Sequence, residues 1–157
     1  MSIKKRETHS IPIPASDFQD LQGILEQLTK DEIIIEIGLN FRNLRSVEVQ
    51  STEGKAQMYL RSELYVSLEG KMFMSLIVAI MAFVPERAGI GTKAMQWLKE
   101  YAIQKGFERI CIENANTEAS VGFALKHGFA RVPLSPFMSQ VMEANESPDF
   151  HCLLKQG

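Results

Sequence analysis

The chain has 157 residues, of which 45% are hydrophobic and 23% charged, which suits one soluble domain with its own core. A formal net charge of −2 argues against a broad nucleic-acid surface, which needs clustered Lys and Arg. Two cysteines, Cys111 and Cys152, set no disulfide framework, and with three scattered histidines they offer no metal-ligand spacing.

Met1-Ser2-Ile3-Lys4-Lys5-Arg6 is followed by polar residues, so it does not read as a secretory signal. No apolar run approaches the ~20 residues that span a bilayer. The expectation is a cytoplasmic protein with no membrane partner. Residues 1–10 read as a flexible tail on a single domain spanning 1–157. The prolines at Ile11-Pro12-Ile13-Pro14 exclude a central strand. Ser16-x-x-Gln19 has the form of a capping box, and Phe18, Leu21, Leu25 and Leu28 follow at helical spacing.

From Glu32 the period changes to two, with Ile33, Ile35 and Ile37 on one face of a strand. Residues 47–50 form a short strand candidate, 51–54 a turn, and 57–68 a longer strand. Glu69-Gly70-Lys71 turns the chain again, and residues 72–84 return as a central strand. Its stretch 76–84 is continuously apolar and rich in β-branched residues, which predicts burial on both faces. The outcome is an antiparallel meander feeding one buried strand.

Two glycines, Gly89 and Gly91, then open a helix with Ile90, Ala94, Leu98, Tyr101 and Ala102 on one face. Trp97 and Tyr101, one turn apart, read as packing. Gly106 ends this helix. Residues 109–113 form a strand parallel to the central one, since a helix connects the two. Asn114, Asn116 and Thr117 are N-cap candidates for a helix running to His127, with Val121, Ala124 and Leu125 on its apolar side and Gly128 at its end. A strand at 129–132, a break at 133–136, an irregular or briefly helical stretch at 137–148 and a strand at 150–154 complete the chain. This order predicts an α/β (α+β) fold: a mixed, mostly antiparallel sheet with helices on both faces.

The stretch that carries chemistry is the central strand, the turn and the helix start. Glycine lets a backbone approach a ligand closely, and the first turn of a helix presents unpaired N–H groups and a positive dipole end. Together they suit a phosphate, with Arg87 adding a fixed positive charge. Two ligands fit. Gly89-x-Gly91-x-x-Ala94 matches a dinucleotide fingerprint, and Glu113 ends the next strand where a ribose contact belongs. Against this, four residues separate Val84 from Gly89, and only 44 residues follow Glu113. The other ligand is acyl-CoA, with its pyrophosphate on the same turn.

Residues 83–92, Phe-Val-Pro-Glu-Arg-Ala-Gly-Ile-Gly-Thr, resemble the acetyl-CoA signature of the GNAT superfamily of N-acetyltransferases. The signature is (Gln/Arg)-x-x-Gly-x-(Gly/Ala) after the central strand. The helix ending at Lys105-Gly106, the strand at 109–113, Asn116 and Lys126-His127-Gly128-Phe129 are similar to the family in order and spacing, so the resemblance covers about residues 75–132. It implies transfer of an acetyl group from acetyl-CoA to a primary amine on a small molecule or peptide. It implies cofactor contacts from Phe83, Val84, Arg87, Ala88, Gly89, Ile90, Gly91, Thr92 and Asn116. The pantetheine arm would run alongside 82–84, and a backbone N–H near Phe83 or Val84 would meet the oxyanion.

The chain departs from the family in three places. Glu86 stands at the Gln/Arg position with Arg87 one later, the turn before Gly89 is short, and Ala124 stands where many members place an acidic tyrosine. Glu113 is the first candidate base, at the end of a parallel strand. Tyr65 and Glu63 come next, with Tyr59 an alternative acid. His127 and His151 read as surface or capping residues. The missing tyrosine keeps a second class open, a catalytically silent acyl-CoA-binding module, with a dinucleotide binder further behind. Glu36, Glu48, Glu63 and Glu69 hint at a cationic acceptor. The oligomeric state, a homodimer among the options, is open.

Overall fold

The computed structural model describes residues 11–37, 45–84, 89–142 and 147–155. A single 3-10 turn, Ala15–Phe18, leads directly into helix α1, Gln19–Thr29. Neither start has a side-chain cap, so the capping box at Ser16 and Gln19 does not form. Ser16 lies inside the turn instead, with Pro14 accepting from the Asp17 N–H at its head. Strands β1 (Ile33–Ile37), β2 (Ser46–Ser51), β3 (Ala56–Val66) and β4 (Met72–Phe83) form the antiparallel meander. Helix α2 (Ile90–Lys105) crosses over to β5 (Arg109–Ile112), which pairs parallel with β4. Helix α3 (Glu118–Lys126), the two-residue strand β6 (Ala130–Arg131), helix α4 (Pro136–Val141) and strand β7 (Phe150–Leu153) follow.

The seven-stranded sheet has the order β1-β2-β3-β4-β5-β7-β6, so the fold is mixed α/β with a mostly antiparallel sheet. Strand β7 enters between β5 and β6. Only β4 and β5 are parallel neighbours among the described strands, which does not suit the repeated parallel units of a dinucleotide-binding sheet. The strand expected at 129–132 shrinks to two residues, with the Phe129 N–H spent on the Ala124 carbonyl at the end of α3.

Strand register sorts the side chains onto two faces. Val47 and Val49, Ala56, Met58 and Leu60, Leu76 and Val78, Ile110 and Ile112 lie on one face and are buried. Phe18, Leu21 and Leu25, Ala94, Met95, Leu98 and Ala102, and Ala124 and Phe129 join the same cluster. Leu28 packs against it from α1. Helix α1 lies against α2: Phe18 packs on Tyr101 at 4.9 Å, Trp97 stacks on Tyr101 at 5.1 Å, and the Tyr101 hydroxyl donates to Asp17 at 2.8 Å. Lys105 adds an ion pair to Asp17 at 2.9 Å. Helix α3 meets the first turn of α2. Helices α1 and α2 pack over the face that carries Leu60, Leu76 and Val78, and α4 buries no residue. Leu125, expected in the apolar side of α3, is exposed, because α3 turns Ala124 inward.

Candidate active site

Strand β5 stops at Ile112, beside Val78, and the last bond of that ladder runs from the Glu113 N–H to the Val78 carbonyl at 3.1 Å. Strand β4 continues to Phe83 with β3 as its one strand neighbour among the described residues. The sheet thus opens a slit along residues 79–83. Ala79 is an extra residue in β4, since Tyr59 pairs with Ile80 and Leu60 with Val78. Such a bulge bends a strand and raises its twist, which carries the end of β4 away from β5. Residues 76–78 are buried on both faces as predicted, but Ile80, Ala82 and Val84 are exposed. The apolar run therefore lines an opening over its second half.

The direction of the backbone groups follows from one bond. The Val84 N–H donates to the Lys55 carbonyl at 2.8 Å, so it points at β3. Backbone groups alternate along a strand, which turns the N–H groups of Phe83 and Met81 towards the slit. Of the two oxyanion donors expected from sequence, Val84 is spent on the sheet.

Beyond the slit, Gly89 takes a left-handed φ of 80° and caps α2 without any side-chain hydrogen bond. A helix start without a side-chain cap keeps N–H groups that a ligand can take. A Cβ on Gly91 would lie 3.4 Å from the Phe123 ring and 3.8 Å from Phe83, so α2, α3 and β4 converge at this glycine. Arg87 and Ala88, with Pro85 and Glu86, lie outside the described residues. Thr92 on the first turn of α2 has its hydroxyl 3.4 Å from His127 Nε2, and the Phe123 and His127 rings are 4.4 Å apart. Burial, then the charges of Lys99 and Lys126, lower the pKa of His127 from its usual 6.5. Lys99 donates to the His127 carbonyl and sits over the Phe129 ring. The sequence reading leaves Phe123 and Lys99 out and keeps His127 as a surface or capping residue. Thr92 and Lys99 are two helical turns apart on one face, a spacing that links them.

Asn116 is exposed, one residue before Thr117, which caps α3 in a reciprocal pair with Ser120. Asn114 has a left-handed φ of 55° and donates its N–H to Asp149. Glu113 follows β5 at the foot of the slit, and its Oε2 receives Arg61 Nη2 at 2.6 Å. Arg61 also donates through Nε to Glu63 at 3.0 Å. Burial alone would lower the Arg61 pKa, but the Glu113 bond and the charges of Glu63 and Glu113 raise it. Arg61 therefore stays a fixed cation across β4.

Tyr65 is not brought to this place. It pairs with Phe73, ten residues before Phe83 on β4, roughly 33 Å along the strand. There its ring covers the Arg109 guanidinium at 3.7 Å, and Arg109 donates to His151 Nδ1 at 2.7 Å and to Ser75 Oγ at 3.2 Å. Burial, then Arg109, lower the His151 pKa. Cys111, beside this group, is pushed up to about 12 by burial and stays a thiol. Tyr59, in register with Ile80, is the phenol next to the slit. Ala124 is fully buried, so the family's tyrosine position faces the core here, and Phe123 is the ring that faces Gly91. An open groove of about 810 Å³ between α1 and α2, walled by Trp97 and Tyr101, lies apart from the slit and the glycine turn. No helix among the described residues is long and apolar enough to cross a membrane.

Comparison with known proteins bears on this site. The description "Acetyltransferase (GNAT) family" matches residues 85–129, which spans the glycine turn, α2, β5 and α3. No curated protein matches the sequence. Among solved structures, a KacTA–DNA complex is similar over 73% of this chain and 71% of its own, with a TM-score of 0.52 and 14% identity. A mutant AtaT toxin bound to the C-terminus of the antitoxin AtaR covers 78% of this chain and 94% of its own, with a TM-score of 0.48 and 15% identity. A GNAT family acetyltransferase from Elizabethkingia anophelis with acetyl-CoA bound covers 69% and 75%, with a TM-score of 0.45 and 14% identity. At 14% identity the likeness to the KacTA–DNA complex is one of fold alone. The GNAT resemblance read from the sequence is thus shown over the turn and its helices. One of these structures is a complex with DNA, so the exclusion of nucleic acid drawn from net charge finds no support.

Proposed function

We propose that this chain, with its GNAT resemblance shown over residues 85–129, transfers an acetyl group from acetyl-CoA to a primary amine. The observation that carries the reading is the slit along 79–83 ending at a helix start with no side-chain cap. The pyrophosphate meets the N–H groups of α2 and the Thr92 hydroxyl. The pantetheine amides pair with the free edge of β4 as a further strand would. Phe83 and Met81 supply N–H groups to the thioester oxygen as charge builds on it. The amine nitrogen attacks the carbonyl carbon, a C–N bond forms, the C–S bond breaks, and CoA leaves as a thiolate. Holding the two reactants in line accounts for much of the rate. Glu113, with Oε2 on Arg61, keeps Oε1 to take the amine proton directly or through water. Tyr59, in register with Ile80, is the phenol we propose for returning a proton to sulfur.

A second reading has its own observation. Neither Phe123 nor Ala124 carries a hydroxyl, so the position that holds the family's acid holds none here. That favours a silent acyl-CoA-binding module. Calorimetry with acetyl-CoA, CoA and NADH, followed by thiol release in an amine panel, separates the readings. Acetyl-CoA binding with amine-dependent thiol release is the expected result. Binding without release supports the silent module, and binding of NADH alone overturns both.

A further inference from the structure

Helices α2 and α3 bring one imidazole to the glycine turn's end of the molecule. Thr92 is the third residue of α2, in the turn whose N–H groups have no partner within the helix. His127 is the C-cap of α3, and its Nε2 lies 3.4 Å from the Thr92 hydroxyl. Three contacts fix the imidazole in that place. The His127 backbone N–H donates to the Phe123 carbonyl at 3.1 Å, its carbonyl receives Lys99, and its ring lies 4.4 Å from the Phe123 ring. Phe123 is itself set against Gly91. The direction of the bond between His127 and Thr92 decides what the hydroxyl can do. With a proton on Nε2, the ring donates to Thr92 Oγ1, and the Thr92 O–H is left for another acceptor. With Nε2 bare, the Thr92 O–H is spent on the ring. A protonated imidazole carries an N–H at both nitrogens, so it allows the first arrangement alone. The charged groups among the described residues that face the ring are Lys99 from α2 and Lys126 from α3. Together with burial they keep it neutral near pH 7. An anion beside Thr92 acts the other way.

We infer that His127 is a positioning residue for the cofactor, which aims the Thr92 hydroxyl at the pyrophosphate and gains a proton as CoA binds; the inference rests on the acetyl-CoA reading. The chain of donors runs from His127 Nε2–H to Thr92 Oγ1, then from the Thr92 O–H to a phosphate oxygen. A separation of 3.4 Å is long for such a bond, and it closes as the phosphate draws on the hydroxyl. No covalent bond changes: the proton comes from solvent and returns there when CoA leaves. A site that gains a proton on binding also binds more tightly as pH falls, because the coupling is reciprocal. The N–H groups of the first turn of α2 hold the phosphate at every pH, and His127 adds the pH dependence.

The test uses the full chain and dephospho-CoA, which lacks the 3′-phosphate and with it the ligand's own titration near pH 6. Calorimetry should show affinity about three- to tenfold higher at pH 6 than at pH 8. At pH 7, heats in two buffers of different ionisation enthalpy should show uptake of part of a proton. His127→Gln keeps a side-chain N–H for Thr92 but cannot titrate. It should match the wild type at pH 8 within about twofold, and lose both the pH dependence and the uptake. His127→Ala should bind about tenfold more weakly at pH 8, and Thr92→Val likewise. The two together should cost little more than either alone, since they break one chain of bonds. His151→Asn, which removes the other histidine of lowered pKa, should leave the pH dependence intact. Affinity in the wild type that does not change with pH overturns the inference, as does proton uptake that persists in His127→Gln or an additive loss in the double variant. Failure of CoA, acetyl-CoA and dephospho-CoA alike to bind at any pH overturns the cofactor reading instead, and the inference falls with it.

Discussion

On the helix side of β3, Ala56, Met58 and Leu60 are buried under α1 and α2, while on its other side Gln57, Tyr59 and Arg61 face out. The same alternation runs through β2, where Val47 and Val49 are buried and Glu48 and Gln50 are not fully covered. One face therefore holds the fold, and its residues are fixed by packing. The other is buried at Ser75, Ile77, Arg109 and Cys111 but more open at Gln57, Tyr59 and Arg61, and it carries the phenol and the guanidinium. A period of two lets one strand serve both ends without compromise.

The sharpest way to test that division is to change adjacent residues of β3. Leu60→Ala on the core side should cost about 2–5 kcal/mol in urea unfolding. Tyr59→Phe next to it should stay within about 0.5 kcal/mol and lower turnover with acetyl-CoA affinity kept. If Tyr59→Phe unfolds the protein as Leu60→Ala does, the faces are not separable. Next in size is a pair on α3. Ala124→Tyr should destabilise by about 1–3 kcal/mol through overpacking, whereas Phe123→Tyr should fold and raise turnover if the new hydroxyl meets the sulfur. Equal melting temperatures for the two would place Ala124 at the surface. At the junction of the faces, Gly91→Val should push on Phe123 and weaken CoA binding at least about tenfold by calorimetry.

The smallest effect is in pH. Both His127 and His151 have pKa values lowered below 6.5 in the folded chain, so near pH 6 the unfolded chain binds more protons. Stability is therefore full at higher pH and falls as pH drops through 6.5 towards the folded values. Replacing both histidines by Asn should flatten that limb in urea titrations across the range. An unchanged slope would assign it to other groups.

The sequence makes much of this legible. Period-two isoleucines mark β1, and glycines at 54, 70, 106 and 128 mark turns where the structure needs positive φ. The strand before the glycines and the helix after them are read at the places where β4 and α2 form. What escapes are facts of partnership. A continuous apolar run looks the same whether it is enclosed or borders an opening, so the exposure of Ile80 and Val84 is invisible. Arg61 and Glu113 are 52 residues apart, and nothing local joins them. Tyr65 and Tyr59 stand equally on β3 in the sequence, and only the register with β4 shows which one neighbours the slit. Spacing alone places Ala124 on α3, but burial decides that Phe123 is the ring that faces the glycine.

The Arg61 bridge has a mechanical meaning. It starts on β3, crosses over β4 and fastens to the residue that follows β5, just where the ladder ends. It works as a bar-tack at the end of a seam: the slit above it can widen, but the seam below cannot run. Hydrogen exchange at the Glu113 amide reads that tack directly. It should stay slow while the ion pair holds, and quicken in Arg61→Ala before any other amide of β5 does.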